Sequence, residues 1–520
     1  MNIAELLAIP ASMFPEQEVL RFEGRGFTYE ALLALAGGMQ SSLAERGAAA
    51  GDVVAGLDTN SPALIAALYG CAALGASFAP LNYRARADEL RHMLGVIQPK
   101  LLLAGERYLD LAREVAGAVA QALPSPGPTR TASAGEGQGE GTLALAGQPT
   151  LLSVDVEDGA PAVLMFTSGT SADAKAVVLP HASLVNLVFG TTDGADGTDR
   201  GSVLLAAPLY HVAGLSALLS ATFGGRRIVL MRQFDASEWL RLASTEQVTH
   251  AFVVPTMLKQ VLDQPDFQQT DLSRLHVLSY GAAPMPLRLI RRAIDSFPRS
   301  VQFVNAFGQT ETTSTVTTLG PDDHRLDGSP EVVEIKLRRL RSIGTPLPGV
   351  EVRILDETGN PSPAGTIGEI AIQSDRLMRG YYGDTSASAS DGFLRTRDLG
   401  WIDDDGYVYL AGRKSDLIIR GGENIAPDEI EAVLESHPDV EEAAVIGLPD
   451  DEWGERVTAI VVRGSNGVSP GELADFCRQR LASFKKPETI LFVDELPRNA
   501  LGKVLRKDLR ARYTAPLEVA

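Results

Sequence analysis

Residues 165–181 read MFTSGTSADAKAVVLPH, with four hydroxyl residues, one glycine and one lysine between two apolar runs. Small residues let backbone N–H groups approach an anion, hydroxyls donate to it, and Lys175 adds charge, so the stretch has the makings of a phosphate cradle. It is not a Walker A loop: Ala174 precedes the lysine and Ala176 follows it, where that motif demands Gly and Ser or Thr. A plain Gly/Ser-rich turn joining AVLMF to AVVLPH satisfies the same residues, and the stretch alone leaves both readings open. Other chemistry-bearing residues stand singly. His211 lies in an apolar segment, where a lone His is more often a satisfied core residue; Asp398 beside Arg397, Arg413 beside Lys414 and Lys503 in a GK turn are, taken bare, surface charges.

The elements around these residues alternate. Residues 52–120 interleave short apolar runs (VVAGL, KLLLAG) with helical patterns, as in an α/β layered domain. The Pro/Gly/Ser-rich stretch 124–141 has little to bury and is expected to run over the surface. From Asp416 onward the order is strand, helix (PDEIEAVLES), strand (EEAAVIGL), strand (VTAIVV), helix, strand (ILFV), an α+β unit of about 100 residues. Within it Ser469, Pro470 and Glu472 spell a helix start with a capping box, and Leu473, Phe476, Cys477 and Leu481 share one apolar face.

Length and charge bound the function. A chain of 520 residues is too long for one core and fits a multidomain enzyme. With 66 acidic against 47 basic residues the net charge is −19, which disfavours nucleic acid and anionic membrane surfaces as partners, so a polyanionic ligand must be met by a local site. Cys71 and Cys477 sit far apart in apolar stretches, as small core residues in a reducing, cytoplasmic setting rather than a disulfide or metal framework. The first residues lack a basic n-region, so no signal peptide is expected. The charge-free stretch between Asp58 and Arg84 and the run 202–225 contain Pro, Gly and polar residues that suit core elements better than a membrane span.

The loop at 165–181 is followed by PLYHVAG (208–214), SYGAAP (279–284), NAFGQTE (305–311), SIGTPLPGVEVRILD (342–356), TRDLGWIDDDGYVYLAGRKSD (396–416), IIRGGENIAPDEIE (418–431) and LPRNALGK (496–503). In this order the segments resemble the adenylate-forming superfamily: acyl-CoA synthetases, peptide-synthetase adenylation domains and beetle luciferases. The resemblance covers nearly the whole chain. It implies an α/β plus α+β fold, with a large N-terminal domain (1–412) of αβαβα layers and a distorted β-barrel, a hinge at 413–415, and a small mobile α+β lid (416–520). It also implies a reaction in two halves: a carboxylate attacks ATP to give acyl-AMP and pyrophosphate, then a thiol attacks the acyl-AMP.

The roles follow from motif position. Thr167, Ser168, Gly169, Thr170, Ser171 and Lys175 would wrap the departing pyrophosphate. Relative to the family pattern TSGTTGxPKG, Ala172, Ala174 and Ala176 replace Gly, Pro and Gly, and losing two glycines predicts a stiffer or shifted loop with weaker ATP binding. Glu311 would ligate Mg²⁺, and Thr310 would hydrogen-bond the α-phosphate. Phe307 stands where the family usually has a Tyr stacked on adenine. Gly281, Ala282 and Ala283 would form the flat wall beside the base; Asp398 would accept the ribose hydroxyls with Arg413 assisting. Lys503 would bridge carboxylate and α-phosphate in the transition state of adenylation only. After the lid swings, Gly421 and Gly422 would let pantetheine of coenzyme A pass, and Lys485 and Lys486 would meet its phosphates or stand as a plain surface pair. Ser415 occupies the usual hinge Asp or Lys position, which changes the hinge energetics. His211, read on its motif as lining the acyl and thiol tunnels, would bound the acyl site with Val212, Gly214, Tyr280, Asn305 and Ala306.

PLYHVAG lacks the Asp with which a peptide-synthetase domain holds an α-amino group, so an amino-acid substrate is disfavoured. The small residues Ala213, Gly214, Ala282 and Ala306 leave room for a medium- or long-chain fatty acid or an aryl acid. The expected enzyme is therefore an ATP- and Mg²⁺-dependent acyl-CoA synthetase acting on an apolar carboxylic acid, with a homodimer left open as its assembly. Its rivals are an adenylating enzyme that loads a carrier protein and a nucleotide-binding protein weakened by its alanines.

Overall fold

A computed structural model describes residues 1–115, 122–124 (backbone only), 151–167, 175–384, 392–464, 467–498 and 502–514. The stretch 124–141, apart from Pro124, and Ser168, Gly169, Thr170, Ser171, Ala172 and Ala174 lie outside these residues.

Alternation along the buried strands builds the larger lobe. In Val53–Leu57, Val54 faces one cluster while Val53, Ala55 and Leu57 face another; in Arg227–Leu230, Ile228 and Leu230 share the cluster of Val54, and Val229 points away to a third. Successive side chains on a strand point to opposite faces, so two sheets each have both faces buried. One is nine-stranded, parallel from Gln302–Gln309 through to Glu18–Phe22 with antiparallel edges; the other is seven-stranded, running from Gly380–Tyr381 through Ala176–Pro180 and Pro161–Phe166 to Ala122–Pro124. Helices lie between the sheets and outside both, giving the expected five layers. The helix Pro62–Leu74 is the centre of the middle layer. Ser61 caps it by accepting from Leu64 N at 3.2 Å, Pro62 fits its first turn, and Gly75 ends it at φ +77°. At Gly70 a Cβ would stand 3.0 Å from the Ala36 carbonyl, so the glycine lets Tyr29–Glu45 pack close. This is the charge-free stretch of the sequence, a core helix of 13 residues. Among the described residues no helix is long and apolar enough to cross a membrane.

The part expected as a distorted barrel is a four-stranded antiparallel sheet, Val350–Leu355, Gly368–Ser374, Leu394–Ile402 and Val408–Arg413, packed through Ile343, Ile354, Ile370, Ile372 and Val408 against Val316 of the nine-stranded sheet. Its last two strands carry Asp398 and Arg413.

The smaller lobe is α+β. The antiparallel pair Val440–Asp450 and Gly454–Arg463 gives alternate residues to two clusters, one covered by Pro427–Glu435 and Pro470–Arg478, the other by Arg506–Thr514. The capping box forms as read: Glu472 N donates to Ser469 Oγ at 3.3 Å and Ser469 N to Glu472 Oε2 at 2.8 Å. Cys71 and Cys477 are both buried and free. The lobes touch: Lys259 Nζ lies 3.1 Å from Glu441, and Arg288 donates to the Pro438 carbonyl at 3.4 Å. Gly502, at φ +75°, lies where a Cβ would stand 2.5 Å from Thr256 Oγ1.

Candidate active site

The hairpin Pro161–Phe166 and Ala176–Pro180 carries the hydroxyl-rich loop, closed at its base by Thr167 N donating to the Lys175 carbonyl at 3.2 Å. Ala176 pairs with Phe166 inside this ladder, in extended backbone that any residue adopts. The expectation that replacing its glycine costs backbone freedom is therefore corrected at 176; Ala172 lies outside the described residues. Lys175 is exposed, with its Nζ 4.8 Å from the centroid of the Tyr381 ring. The same tyrosine donates its hydroxyl to Glu311 Oε1 at 3.1 Å. Tyr381 sits on the short strand Gly380–Tyr381, paired to Val177 and Val178, so the hairpin's lysine and the carboxylate of Glu311 are linked through one ring. Burial first, then the charge of Glu311, pushes the Tyr381 hydroxyl up to about 12, so it stays a neutral donor.

Thr310 and Glu311 form a short 3₁₀ turn after the strand Gln302–Gln309, which lies beside Val277–Gly281 in parallel register, Gly281 opposite Ala306. A Cβ on Gly281 would stand 2.1 Å from the Ala306 carbonyl, and Ala282 then takes φ +65°. Backbone proximity therefore explains the first small residue of the expected wall, and the chain leaves the strand in a bend with Ala282 exposed and Ala283 half-buried. Phe307 is part-buried, its ring against the Val316 and Ile343 cluster. Gln309, not singled out in the sequence although it lies inside NAFGQTE, donates to Asp398 Oδ2 at 2.5 Å.

Asp398 and Arg413 are direct partners across their antiparallel strands, with Arg413 Nε 2.9 Å from Asp398 Oδ1. Asp398 is 5% exposed. Burial raises its pKa, while Arg413, Lys503 and the Gln309 amide pull it back. Lys503, from the smaller lobe, lies within the field of this pair. Burial first, then repulsion by Arg413, pushes its ammonium down to about 8 against the attraction of Asp398 and Asp416. Two residues of neighbouring strands and a lysine ninety positions further on thus share one electrostatic environment at the junction of the lobes.

The acyl side is differently built. His211 precedes the helix Val212–Phe223, its ring 4.4 Å from that of Tyr210, and its Nε2 is buried with no hydrogen-bond partner among the described residues. Burial, aided by Arg84, pushes it down to about 3, so the ring is neutral at ordinary pH and offers no positive charge. Val212 is part-buried against the central core. Gly214 does not leave free volume: a Cβ there would stand 2.3 Å from the Pro208 carbonyl, which fills the space. Tyr280 is corrected from pocket wall to core residue, 1% exposed, with its hydroxyl 2.9 Å from His324 Nε2. Asn305 donates to the Ser342 carbonyl at 3.3 Å, and Ala306 stays part-buried beside it.

Gly421 and Gly422 occupy φ +59° and +87° in the two-residue turn between Ile418–Arg420 and Glu423–Ile425, the geometry of a type I′ hairpin. A Cβ at 421 would also stand 2.9 Å from the Trp453 ring. Arg420 donates to the Phe484 carbonyl at 2.8 Å, drawing this hairpin to the turn bearing Lys485 and Lys486. Lys485 is committed to Glu429 at 2.6 Å, and Lys486 is part-buried. Ser415 is exposed.

Among the described residues no group of three or more His, Cys, Asp or Glu is placed to hold a metal. A magnesium ion held through Glu311 would take its other ligands from phosphate oxygens and water, as this hard cation ordinarily does, and the residues fit that mode.

Comparison with known proteins agrees along the whole length. Residues 8–382 match the AMP-binding enzyme family and residues 429–503 the AMP-binding enzyme C-terminal domain. The chain is 33% identical over 515 residues to an indoleacetate–CoA ligase of Aromatoleum aromaticum, covering 98% of each. It is 34% identical over 520 residues to a fatty acid–[acyl-carrier-protein] ligase of Streptomyces coeruleorubidus, covering 98% of this chain and 96% of that one. The structure of o-succinylbenzoate CoA synthetase from Bacillus subtilis, in complex with its acyl-adenylate intermediate, superposes with a TM-score of 0.82 at 30% identity over 97% of each chain.

Proposed function

The chain belongs to the AMP-binding enzyme family, in the acyl-CoA synthetase branch of the adenylate-forming ligases, and from that premise we propose that it joins an apolar carboxylic acid, fatty or aryl, to coenzyme A. The observation that carries the reading is Lys503, half-buried, in the field of the Asp398–Arg413 pair. A carboxylate oxygen attacks the α-phosphorus of ATP, the bond to the β-phosphate bridge breaks, and pyrophosphate leaves. Negative charge concentrates on the α-phosphoryl oxygens as this happens. A protonated Lys503 in a water-poor position stabilises that charge far more than an exposed lysine would. Asp398, its carboxylate oriented by Arg413 and Gln309, accepts the ribose hydroxyls and fixes the approach. Thr310 donates to the α-phosphate, and the hairpin loop with Lys175 receives the pyrophosphate. Glu311 would hold a magnesium ion, which when bound would supply electrostatic neutralisation of the phosphates.

In the second half the thiol sulfur attacks the acyl carbon and AMP departs with the electron pair. Lys503 has no part in that step, and the hairpin at Gly421 and Gly422 replaces it after rotation about residues 413–415, with Lys485 and Lys486 offering positive charge to the phosphates of coenzyme A. The apolar acid is supported by the uncharged segment 208–214 and by the neutral His211, which together give no partner for an α-ammonium group.

The test is pyrophosphate release with Mg·ATP across fatty, aryl and amino acids, each with and without coenzyme A. Release that rises with coenzyme A for one apolar class supports the reading and names the acid. Release indifferent to coenzyme A favours a carrier-protein acceptor, as in the Streptomyces relative, and no release with any acid sinks the ligase assignment for these substrates.

A further inference from the structure

Lys503 is held from both sides. On its N-terminal side, Arg498 donates to the Gly502 carbonyl at 2.5 Å and pairs with Glu442 at 2.7 Å. On its C-terminal side, Arg506 opens the last helix, and its guanidinium is gripped by three carboxylates. Arg506 Nη2 donates to Asp428 Oδ1 at 2.8 Å and to Glu431 at 2.8 and 2.7 Å, and Nη1 lies 3.6 Å from Asp416 Oδ2. Arg510 adds a second arm to Asp416, at 3.7 Å to its carboxylate.

These partners have a common geography. Asp416 lies three residues beyond Arg413, the nucleotide-side partner of Asp398. Asp428 Oδ2 stands 3.3 Å from where a Cβ on Gly412 would be, against the strand that carries Arg413. Glu431 is one turn further along the same helix and also accepts from Val445 N at 2.7 Å. Burial works against the charge on Arg506, but Glu431, Asp428 and Asp416 outweigh it and hold its pKa above the usual value. A buried ion cluster of this kind is costly to break one partner at a time, because each loss strands a charge away from water.

We propose that Arg506 is a positioning residue for Lys503: through Asp416, Asp428 and Glu431 it ties the loop carrying the lysine to the turn just past the hinge and to the helix Pro427–Glu435, so that closure of the smaller lobe delivers the ammonium to one place. The inference rests on the proposed role of Lys503 in adenylation. Every member of the cluster lies beyond residue 415, so the brace travels with the smaller lobe. It also sets the field at the lysine, whose facing charged groups are Arg413, Asp398, Asp416 and Arg506.

The experiment compares wild type, Arg506→Met and Lys503→Ala, with indoleacetate and dodecanoate as probe acids, in each half-reaction separately. Lysine labelling by acetic anhydride, mapped by mass spectrometry, needs no substrate and runs alongside. For Arg506→Met the expected result is adenylation lower by at least about tenfold, thioester formation from supplied acyl-AMP within about twofold of wild type, and Lys503 labelled several-fold faster while the exposed Lys175 is unchanged. Removing one of two flanking cations also moves the alkaline limit of adenylation to higher pH. A folded Arg506→Met with wild-type adenylation and a protected Lys503 overturns the proposal. So does equal loss of both half-reactions with Lys503 still protected. Should that variant not fold, Glu431→Gln and Asp428→Asn cut the brace one arm at a time and are held to the same outcomes. Full adenylation by Lys503→Ala would refute the role given to the lysine, while the labelling still decides whether Arg506 positions it.

Discussion

Lys175 and Lys503 are both single lysines in motif segments, yet they sit in opposite surroundings. Lys175 is exposed at the foot of a hairpin, its ammonium over the Tyr381 ring. Lys503 is half-buried at the junction of the lobes, its pKa pushed down to about 8. An exposed charge is screened by water and salt and contributes modestly to whatever anion comes near. A half-buried one has already lost part of its hydration, so it gains more when negative charge develops beside it, and it has to be put there by a moving lobe. The difference separates holding a phosphate from accelerating a reaction.

The sharpest way to break this comparison is Lys503→Ala. It should lower adenylation by roughly 10²–10³-fold, the scale of losing one preorganised donor, and leave thioester formation from supplied acyl-AMP largely intact. Equal losses in both halves would mean that the lysine belongs to the fold and not to one step. Glu311→Ala comes next, with an expected loss of about 10- to 100-fold in use of Mg·ATP and a raised magnesium requirement. An unchanged magnesium titration would remove the metal from Glu311.

Acidity distinguishes the lysines without mutation. If adenylation needs charged Lys503, its rate should fall as pH rises through about 8, about tenfold for each further unit. Stability should move the other way. Because burial lowers the folded-state pKa from 10.5 to about 8, the unfolded chain binds more protons between those values, and unfolding free energy rises with pH in that window from this group. Adenylation and its pH profile, followed beside chemical denaturation at pH 7.5 and 9.5, check both signs. A flat rate across the window would place the lysine's pKa outside it.

How much of this was legible in the sequence follows the same divide. The order of strands and helices and the capping box at Ser469 were readable because they are local, and the order of the motifs carried the family. The pairing of Asp398 with Arg413 was accessible only through the resemblance, since it depends on the register of two strands. Gln309 and Tyr381 were missed: one lay inside a quoted motif without an obvious task, the other in RLMRGYYGD (376–384), where only a Gly-Tyr step after apolar residues hinted at a short added strand. Small residues misled in the other direction. Gly214 reads as room for the acyl chain and Gly281 as a flat wall beside the base, and the structure fills both places with carbonyl oxygens. Absence of a side chain in a sequence does not tell which atom takes its room.

The smallest effects concern the exposed lysine and test whether its link to Glu311 through Tyr381 matters. Lys175→Ala should raise the KM for ATP by about three- to tenfold with kcat little changed, the value of one partly screened charge. Tyr381→Phe keeps the ring under the ammonium and removes only the hydroxyl that donates to Glu311. The net worth of such a hydrogen bond is about 0.5–1.5 kcal/mol, somewhat more to a charged acceptor, so a two- to tenfold weakening of Mg·ATP use is expected. If Tyr381→Phe matches wild type while Lys175→Ala does not, the ring is only packing for the lysine. If the two single losses fail to add in the double variant, the hairpin and the carboxylate act as one unit through Tyr381, and the exposed lysine owes its effect to the turn at Glu311 as well as to its own charge.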